Sequence, residues 1–274
     1  MRIFIIIIIL STCLACSTPN VEPNEIFVLG HGGEGFNGIN TLYAPNSVGS
    51  ITRALDFYNL DGVEVDAQFT TDGEIIIYHD IHMENSTQCK GRVNDLTIDE
   101  TAGCFYKKQF KNKYEQEVIT LDSFISLLNE KWCEKYITIN VQAHFKVPFR
   151  VDTLANFYHR KIVNIADRRF FSTECADANF LFYLRLNDPS HTCFLVADVN
   201  EGNVRDVNRF GLQGLVTSFD KRNETLEKEL HLSQKKIYLY GQKTTRDYKK
   251  YDYRFVSGVQ VDNPILALKY FKDQ

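Results

Sequence analysis

The chain of 274 residues is 44% hydrophobic and 24% charged, which is typical of a folded globular protein and excludes a disordered or collagen-like chain. Its 31 lysine and arginine residues stand against 35 aspartate and glutamate residues, so the formal net charge is −4 and no nucleic-acid partner is expected. The length suits either one (β/α)-barrel or two ordinary domains.

Residues 1–16 have the pattern of an export signal. Arg2 precedes a run of eight apolar residues, which is too short to cross a bilayer as a helix of about 20 residues. Such a run has the length of the apolar core of a signal peptide. Ala15 and Cys16 follow it and resemble the end of a bacterial lipoprotein signal, in which the cysteine is lipidated and becomes the mature N-terminus.

We therefore predict that Cys16 carries a lipid, that residues 17–25 form a polar tether, and that the folded part begins at residue 26. The protein is then exported and anchored to the membrane on the periplasmic or cell-surface side. Cys13 is a second candidate for lipidation, and a plain cleaved secretion signal is the alternative to both.

Export changes the interpretation of the remaining five cysteines, because an oxidising compartment permits disulfides. Cys89 and Cys104 lie in a polar segment with little core of its own, and we predict a disulfide between them. An odd number of cysteines leaves at least one free thiol. The sequence does not determine the pairing of the other three, which are Cys133, Cys175 and Cys193.

Short β-rich runs alternate with helical stretches from residue 26 to residue 274. The predicted strands are Ile26–Gly30, Gly62–Phe69, Tyr136–Gln142, Arg169–Ser172, Cys193–Ala197, Gly214–Ser218, Lys236–Gly241 and Gly258–Val261. The clearest predicted helices are Ser47–Tyr58, Leu121–Asn129, Val151–Tyr158, Ala176–Leu184, Asn203–Phe210 and Glu224–Leu232. Such alternation in about 250 residues predicts an α/β fold with a parallel sheet, a TIM (β/α)8 barrel. An open doubly wound sheet is the alternative, although no Gly-x-Gly-x-x-Gly motif follows the first strand.

One segment after the second predicted strand breaks this alternation. The turn sequence Thr70–Gly73 is followed by an extra apolar run, Glu74–Tyr78, and the chain is then polar with little regular period over about residues 81–118. We interpret this segment as an insertion. In a TIM barrel an insertion at this point lies over the C-terminal face, where the chemistry of such barrels occurs.

A pair of carboxylates lies in the second predicted strand. Glu64 and Asp66 are two residues apart and therefore point to the same side of the strand, while Val63 and Val65 indicate that the strand is buried. Two buried carboxylates are costly unless they are compensated, and Mg²⁺ or Ca²⁺ compensates them well. The pattern favours a divalent-metal site over the alternative, a surface pair on an edge strand.

Two histidines each end an apolar run and precede turn-like residues. His31 follows the first predicted strand, and His79 follows Glu74–Tyr78. Two histidines beside a metal-binding carboxylate pair can act as general acid and general base on a phosphate ester. A structural role for either histidine is the alternative, and we expect the nearby His82 to be a solvated loop residue.

The block from Gly62 to Asp80, GVEVDAQFTTDGEIIIYHD, resembles the central signature of the glycerophosphodiester phosphodiesterases, a TIM-barrel family within the phospholipase-C-like superfamily. Weaker likenesses to this family are found at Ile119–Leu121 and at Val259–Pro264. The resemblance therefore covers nearly the whole chain after the leader. It implies metal-dependent hydrolysis of a small glycerophosphodiester to sn-glycerol 3-phosphate and an alcohol.

Carried over position by position, the resemblance implies that His31 and His79 are the acid/base pair and that Glu64 and Asp66 bind the metal. The third carboxylate ligand of the family falls at Asn140, whose carbonyl oxygen is also a ligand for Mg²⁺ or Ca²⁺. The site thus has one negative charge fewer than the family pattern.

Other departures from the family pattern concern the substrate. Gly32 stands where the family motif His-Arg-Gly has its arginine. The motif Pro-Glu-Asn-Thr keeps its asparagine as Asn46, but its glutamate is absent. Gln142 stands where the third strand of the family has a lysine. The resemblance implies that these three residues and Gly33 line the substrate site. The glycine-rich segment 30–38 is a candidate for binding phosphate through backbone N–H groups.

Two other functions stay open at this stage. A barrel that has lost catalysis would bind a phosphodiester or a lipid head group, and the missing arginine and lysine favour it. An enzyme that cleaves through the hydroxyl of its own substrate would release a cyclic phosphate. The retained histidines and carboxylates favour the hydrolase, because a binding protein does not need both.

Overall fold

The computed structural model describes residues 25–36, 41–107, 114–145 and 148–272. The strands of this part of the chain are β1 (Phe27–His31), β2 (Gly62–Phe69), β3 (Ile75–Ile77), β4 (Ile119–Thr120), β5 (Tyr136–Val141), β6 (Phe171–Cys175), β7 (Cys193–Val196), β8 (Gly214–Ser218), β9 (Lys236–Tyr240) and β10 (Gly258–Val261). The α-helices are α1 (Val48–Thr52), α2 (Met83–Ser86), α3 (Ile98–Thr101), α4 (Leu121–Lys131), α5 (Val151–Ile162), α6 (Ala178–Asn187), α7 (Glu201–Arg209), α8 (Glu224–Leu232), α9 (Thr245–Lys250) and α10 (Pro264–Phe271).

Eight of the strands form a closed parallel barrel. The order runs β1, β10, β9, β8, β7, β6, β5 and β2, and β1 also pairs with β2. In this closure Val28 lies opposite Val259 of β10, and Gly30 lies opposite Val63 of β2. The TIM barrel is therefore confirmed, and the open doubly wound sheet is excluded.

The two faces of β2 show why this segment forms a barrel strand. Val63, Val65, Ala67 and Phe69 are buried in the main hydrophobic core, which also contains the apolar faces of the surrounding helices. The alternate residues of the strand point to the barrel interior. This period of two places both carboxylates of the strand inside the barrel mouth.

The helices begin at polar residues that satisfy free backbone N–H groups. Ser47, Thr120, Asp177, Asn200 and Asn263 each accept a backbone N–H of the first turn through the side chain. Such caps define where each strand-to-helix loop ends. The loops therefore stay short on most of the barrel, and the side chains at the strand ends stay close together.

The insertion between β2 and β5 has more internal structure than the sequence indicates. β3 pairs antiparallel with β2, and β4 pairs antiparallel with β3. Ile76, Tyr78, Met83, Val93 and Val118 form a small hydrophobic core of their own. The expectation of a segment with little core was wrong, because apolar residues spaced too irregularly to predict a helix still meet in space.

A disulfide joins Cys89 to Cys104 within this insertion, with the two Cα atoms 5.9 Å apart. The three other cysteines of the described residues are free thiols. Cys133 is exposed, whereas Cys175 and Cys193 are buried.

Removal of this disulfide should destabilise the protein. We expect the Cys89→Ser/Cys104→Ser variant to lose about 3 kcal/mol of unfolding free energy, because the bridge closes a loop with a sequence separation of 15. Urea unfolding under non-reducing conditions measures the change. Cys133→Ser, which removes an exposed free thiol, is the matched control, and equal midpoints for the two variants would contradict the prediction.

Some element boundaries differ from those predicted. The fourth barrel strand was placed at Arg169–Ser172 but lies at Phe171–Cys175, because Arg168–Phe170 form a 3-10 turn capped by the side chain of Asp167. Helices α2, α3, α9 and α10 were not predicted. In the described part of the chain, no helix has the length and apolar character needed to cross a membrane. The predicted leader, the lipidation at Cys16 and most of the tether lie outside the described residues.

Candidate functional site

His31 ends β1 and is held by a carboxylate from the far end of the chain. Its Nδ1 lies 2.9 Å from Oδ1 of Asp262, which follows β10, and its Nε2 lies 4.0 Å from Oε2 of Glu64. Burial raises the pKa of Asp262, but the hydrogen bond and the charge of His31 lower it below the ordinary value. Asp262 thus orients the ring so that Nε2 faces the carboxylates of β2.

Glu64 is 1% exposed and has one satisfied and one free oxygen. The backbone N–H of Gly32 donates to Oε2 at 3.0 Å, whereas Oε1 is buried without a hydrogen-bond partner among the described residues. Burial raises the pKa of Glu64 well above its ordinary value, and the charges of Asp66 and Glu174 raise it further. A buried oxygen without a partner is an open ligand position for a cation.

Asp66 is also buried, but three amide side chains hold it. Asn46 Nδ2 donates to Oδ2 at 2.9 Å, while Asn140 Nδ2 and Gln142 Nε2 donate to Oδ1 at 3.2 Å and 2.5 Å. The backbone N–H of Asp66 returns a bond to Asn46 Oδ1 at 2.9 Å. This network fixes the carboxylate without placing a positive side chain against it.

The residues for which the family resemblance implied a role in binding substrate have other contacts here. The backbone N–H of Gly32 donates to Glu64, and the side-chain amides of Asn46 and Gln142 donate to Asp66. Gly33 has φ +95°, and a Cβ there would lie 2.5 Å from Oγ of Ser50, so close packing against α1 requires glycine. Contact of these residues with substrate stays a prediction.

His79 lies in the loop after β3 and contacts the same aromatic ring as His31. The Phe36 ring has its centroid 4.7 Å from that of His31 and 4.8 Å from that of His79. The same ring covers Gly32, because a Cβ there would lie 2.7 Å from Phe36. Phe36 therefore fills the space next to Gly32, where the family motif has its arginine.

His79 has a carboxylate partner of its own. Its Nδ1 lies 3.1 Å from Oδ1 of Asp80, and this hydrogen bond raises the pKa of His79 above the usual value. Asp80 also accepts a bond from Ser86. His82 is half-exposed and lies 4.0 Å from Glu84, as expected for a solvated loop histidine.

A third buried carboxylate, Glu174 of β6, was missed by the sequence interpretation. Thr138 Oγ1 donates to its Oε1 at 2.8 Å, and Gln260 Nε2 lies 2.7 Å and 3.0 Å from its two oxygens. Burial raises the pKa of Glu174 to about 7, although these hydrogen bonds oppose the rise. It was missed because the predicted strand ended at Ser172. The alternation of Ser172 and Glu174 could have indicated that the strand continues with Glu174 on the same face.

The donors present fit a hard divalent cation. Glu64 offers a free buried oxygen, and the Asp66 carboxylate lies on the same face of β2, a pairing of oxygen ligands that suits Mg²⁺ or Ca²⁺. Over the described ranges, no set of three His, Cys, Asp or Glu side chains is arranged to hold a metal ion. Any further ligands must come from amide oxygens, substrate or water.

Comparison with known proteins agrees with this geometry. Residues 37–266 match the Glycerophosphoryl diester phosphodiesterase family. A glycerophosphodiester phosphodiesterase of Caldanaerobacter subterraneus is 30% identical over 108 residues, which are 39% of this chain and 42% of that protein. The match thus covers less than half of that relative's length.

Solved structures show the same barrel over most of both chains. A glycerophosphodiester phosphodiesterase of Parabacteroides distasonis has a TM-score of 0.76 at 14% identity, covering 92% of this chain and 99% of that one. A phosphodiesterase of Oleispira antarctica, in complex with the product sn-glycerol-3-phosphate, has a TM-score of 0.73 at 13% identity, covering 90% and 97%. At these identities the likeness establishes the fold, and it is the match over residues 37–266 that shows the chain to belong to the glycerophosphoryl diester phosphodiesterase family.

Proposed function

We propose that this protein hydrolyses a small glycerophosphodiester to sn-glycerol 3-phosphate and an alcohol. The observation that carries the proposal is the contact of both His31 and His79 with the ring of Phe36, with Nε2 of His31 4.0 Å from Glu64. The family membership and the product bound to the Oleispira antarctica protein support the same substrate class.

The two histidines take different roles in this proposal. Asp262 holds Nδ1 of His31, which leaves Nε2 to accept a proton from the attacking water. The raised pKa of His79 keeps that ring protonated to higher pH, which suits a general acid that protonates the leaving alkoxide.

Glu64 and Asp66 hold a divalent cation, Mg²⁺ or Ca²⁺, in the proposed enzyme. The cation, when bound, neutralises negative charge on the phosphodiester and draws electron density from phosphorus. Asn46 and Gln142 keep Asp66 in place, and Asn140 adds its amide oxygen as a neutral ligand after rotation of its side chain.

The direct test is hydrolysis of several glycerophosphodiesters by the purified protein, with Mg²⁺, with Ca²⁺ and with EDTA. We expect release of sn-glycerol 3-phosphate that depends on the added cation. A cyclic phosphate product would instead indicate attack by the substrate's own hydroxyl group.

A binding protein is the second candidate function, and one observation favours it. The Phe36 ring lies against both histidines and next to Gly32, where the family motif has an arginine to hold the phosphate. Binding of a glycerophosphodiester without turnover, under any cation, would establish this function instead.

The pH dependence of catalysis should report the role of His79. Its acid form is lost as pH rises through its raised pKa, so activity falls on the alkaline side. Asp80→Asn removes the carboxylate that raises this pKa, and the alkaline limb of the kcat/KM profile should therefore move to lower pH. A profile of kcat/KM against pH for both proteins measures the shift, and an unmoved alkaline limb would contradict it.

We further propose that the protein is exported and anchored to the membrane through a lipid on Cys16, which would place the enzyme beside glycerophosphodiesters derived from membrane lipids. Cys16→Ser should abolish fatty-acid labelling and move the protein from the membrane to the soluble fraction. Stable anchoring needs more than one acyl chain, as a bacterial lipoprotein has. Labelling that survives in Cys16→Ser but is lost in Cys13→Ser would assign the lipid to Cys13.

A further inference from the structure

Glu174 lies one strand away from the position at which the family pattern would have its third carboxylate. It pairs in register with Asn140 of β5, which itself pairs with Asp66 of β2. Glu174 is 2% exposed and is anchored by Thr138 and Gln260, both neutral. A carboxylate thus lies on the strand next to Asn140, the amide residue that stands where the family pattern has a carboxylate.

The charges around this position do not balance within the protein. Glu64, Asp66 and Glu174 are all buried, and no lysine or arginine in the described part of the chain forms an ion pair or hydrogen bond with any of them. Burying uncompensated carboxylates is costly. Nε2 of His31 lies 4.0 Å from Glu64, and its Nδ1 is hydrogen-bonded to Asp262, a further carboxylate.

We infer that Glu174 supplies the third negative charge of the divalent-cation site, in place of the carboxylate missing at Asn140. This inference rests on the proposed function. The two cation-binding oxygens come from Glu64 and Asp66, and Glu174 acts across the buried interior, where the low dielectric leaves its charge poorly screened. Gln260 and Thr138 hydrogen-bond the Glu174 carboxylate, so that its charge keeps a fixed position relative to the site.

The test compares cation affinities by isothermal titration calorimetry of the purified protein with Mg²⁺ and with Ca²⁺. Glu174→Gln removes the charge but keeps the size and an acceptor for Thr138, and we expect its Kd to rise at least about tenfold, the scale of outer-sphere substitutions at metal sites. Asp198→Asn removes a carboxylate that is 59% exposed, and its Kd should match that of the wild type.

A second comparison avoids dependence on the folding of one variant. Asn140→Glu should bind the cation more tightly than the wild type, because it adds a carboxylate to the site. Adding Glu174→Gln to Asn140→Glu should weaken the affinity again by about the same factor as in the wild-type background. Agreement of the two factors shows that the loss comes from the charge of Glu174 and not from a folding defect of one variant.

Each outcome separates the inference from the function on which it rests. Equal affinities with and without the Glu174 charge, while the wild type binds the cation, would overturn the inference and leave the proposed hydrolase intact. Absence of cation binding by the wild type would overturn both. Weaker binding in Glu174→Gln but not in Asp198→Asn supports the inference.

Discussion

His31→Ala and His79→Ala should each lower the turnover of a glycerophosphodiester by at least about 10²-fold, which is the usual scale of general acid–base catalysis. Each substitution removes the ring that acts as acid or base in the proposed function. Among the described residues, Asp262 is hydrogen-bonded to the His31 ring and Asp80 to the His79 ring. Each carboxylate lies on the Nδ1 side of its ring and therefore does not replace the Nε2 atom that the substitution removes. Steady-state kinetics with the preferred cation present measures the loss.

His82→Ala is the matched control for these two variants. His82 lies on the same insertion as His79 but is half-exposed and faces Glu84, so its removal should leave turnover unchanged. Melting temperatures of the three variants show whether the fold is kept. Wild-type turnover in either His31→Ala or His79→Ala would refute the assignment of that histidine.

Asp66→Asn should have the second large effect, on cation binding and activity together. Asp66 is one of the two carboxylates proposed to bind the cation, so activity should fall by more than the roughly 10- to 100-fold that outer-sphere substitutions cost. The substitution also places an amide among the amide groups of Asn46, Asn140 and Gln142, which all donate to the present carboxylate. At least one buried N–H then faces another N–H, which should cost about 1–3 kcal/mol of stability.

Calorimetric titration with Mg²⁺ or Ca²⁺ and urea unfolding measure the two parts of this prediction separately. Asp198→Asn, the same chemical change at an exposed position, should alter neither quantity. Unchanged cation affinity in Asp66→Asn would show that the cation, if bound, uses other ligands. Unchanged stability would show that the amide groups around Asp66 reorient without loss.

Local patterns in the sequence determined the architecture and half of the site. The period of two along Gly62–Phe69 predicts a buried strand with its carboxylates on one face, and the observed strand has the same limits. Gly214–Ser218 and Gly258–Val261 were also placed at their observed limits, since short β-branched runs between turn residues leave few alternatives. The alternation of strands and helices was then sufficient to predict the barrel, because parallel strands need helical crossovers and eight such units form a closed (β/α)8 barrel.

The partners of these residues depended on the closure of the barrel. Asp262 reaches His31 only because β10 pairs with β1 across 231 residues of sequence. The Phe36 ring contacts two histidines that come from different strand ends, and no local spacing encodes these contacts. The sequence by itself therefore determined which strand ends carry chemistry, through periodicities that act over a few residues.

The position of the third buried carboxylate, Glu174, depends on the length of β6 and on its pairing. Glu174 lies within β6 because the strand runs to Cys175, three residues beyond the predicted end. Pairing with β5 places Glu174 opposite Asn140, on the strand face that points to the barrel interior. Tertiary structure alone decided which carboxylates lie close to one another, because the interaction of charges depends on distances between strands and not on position along the chain.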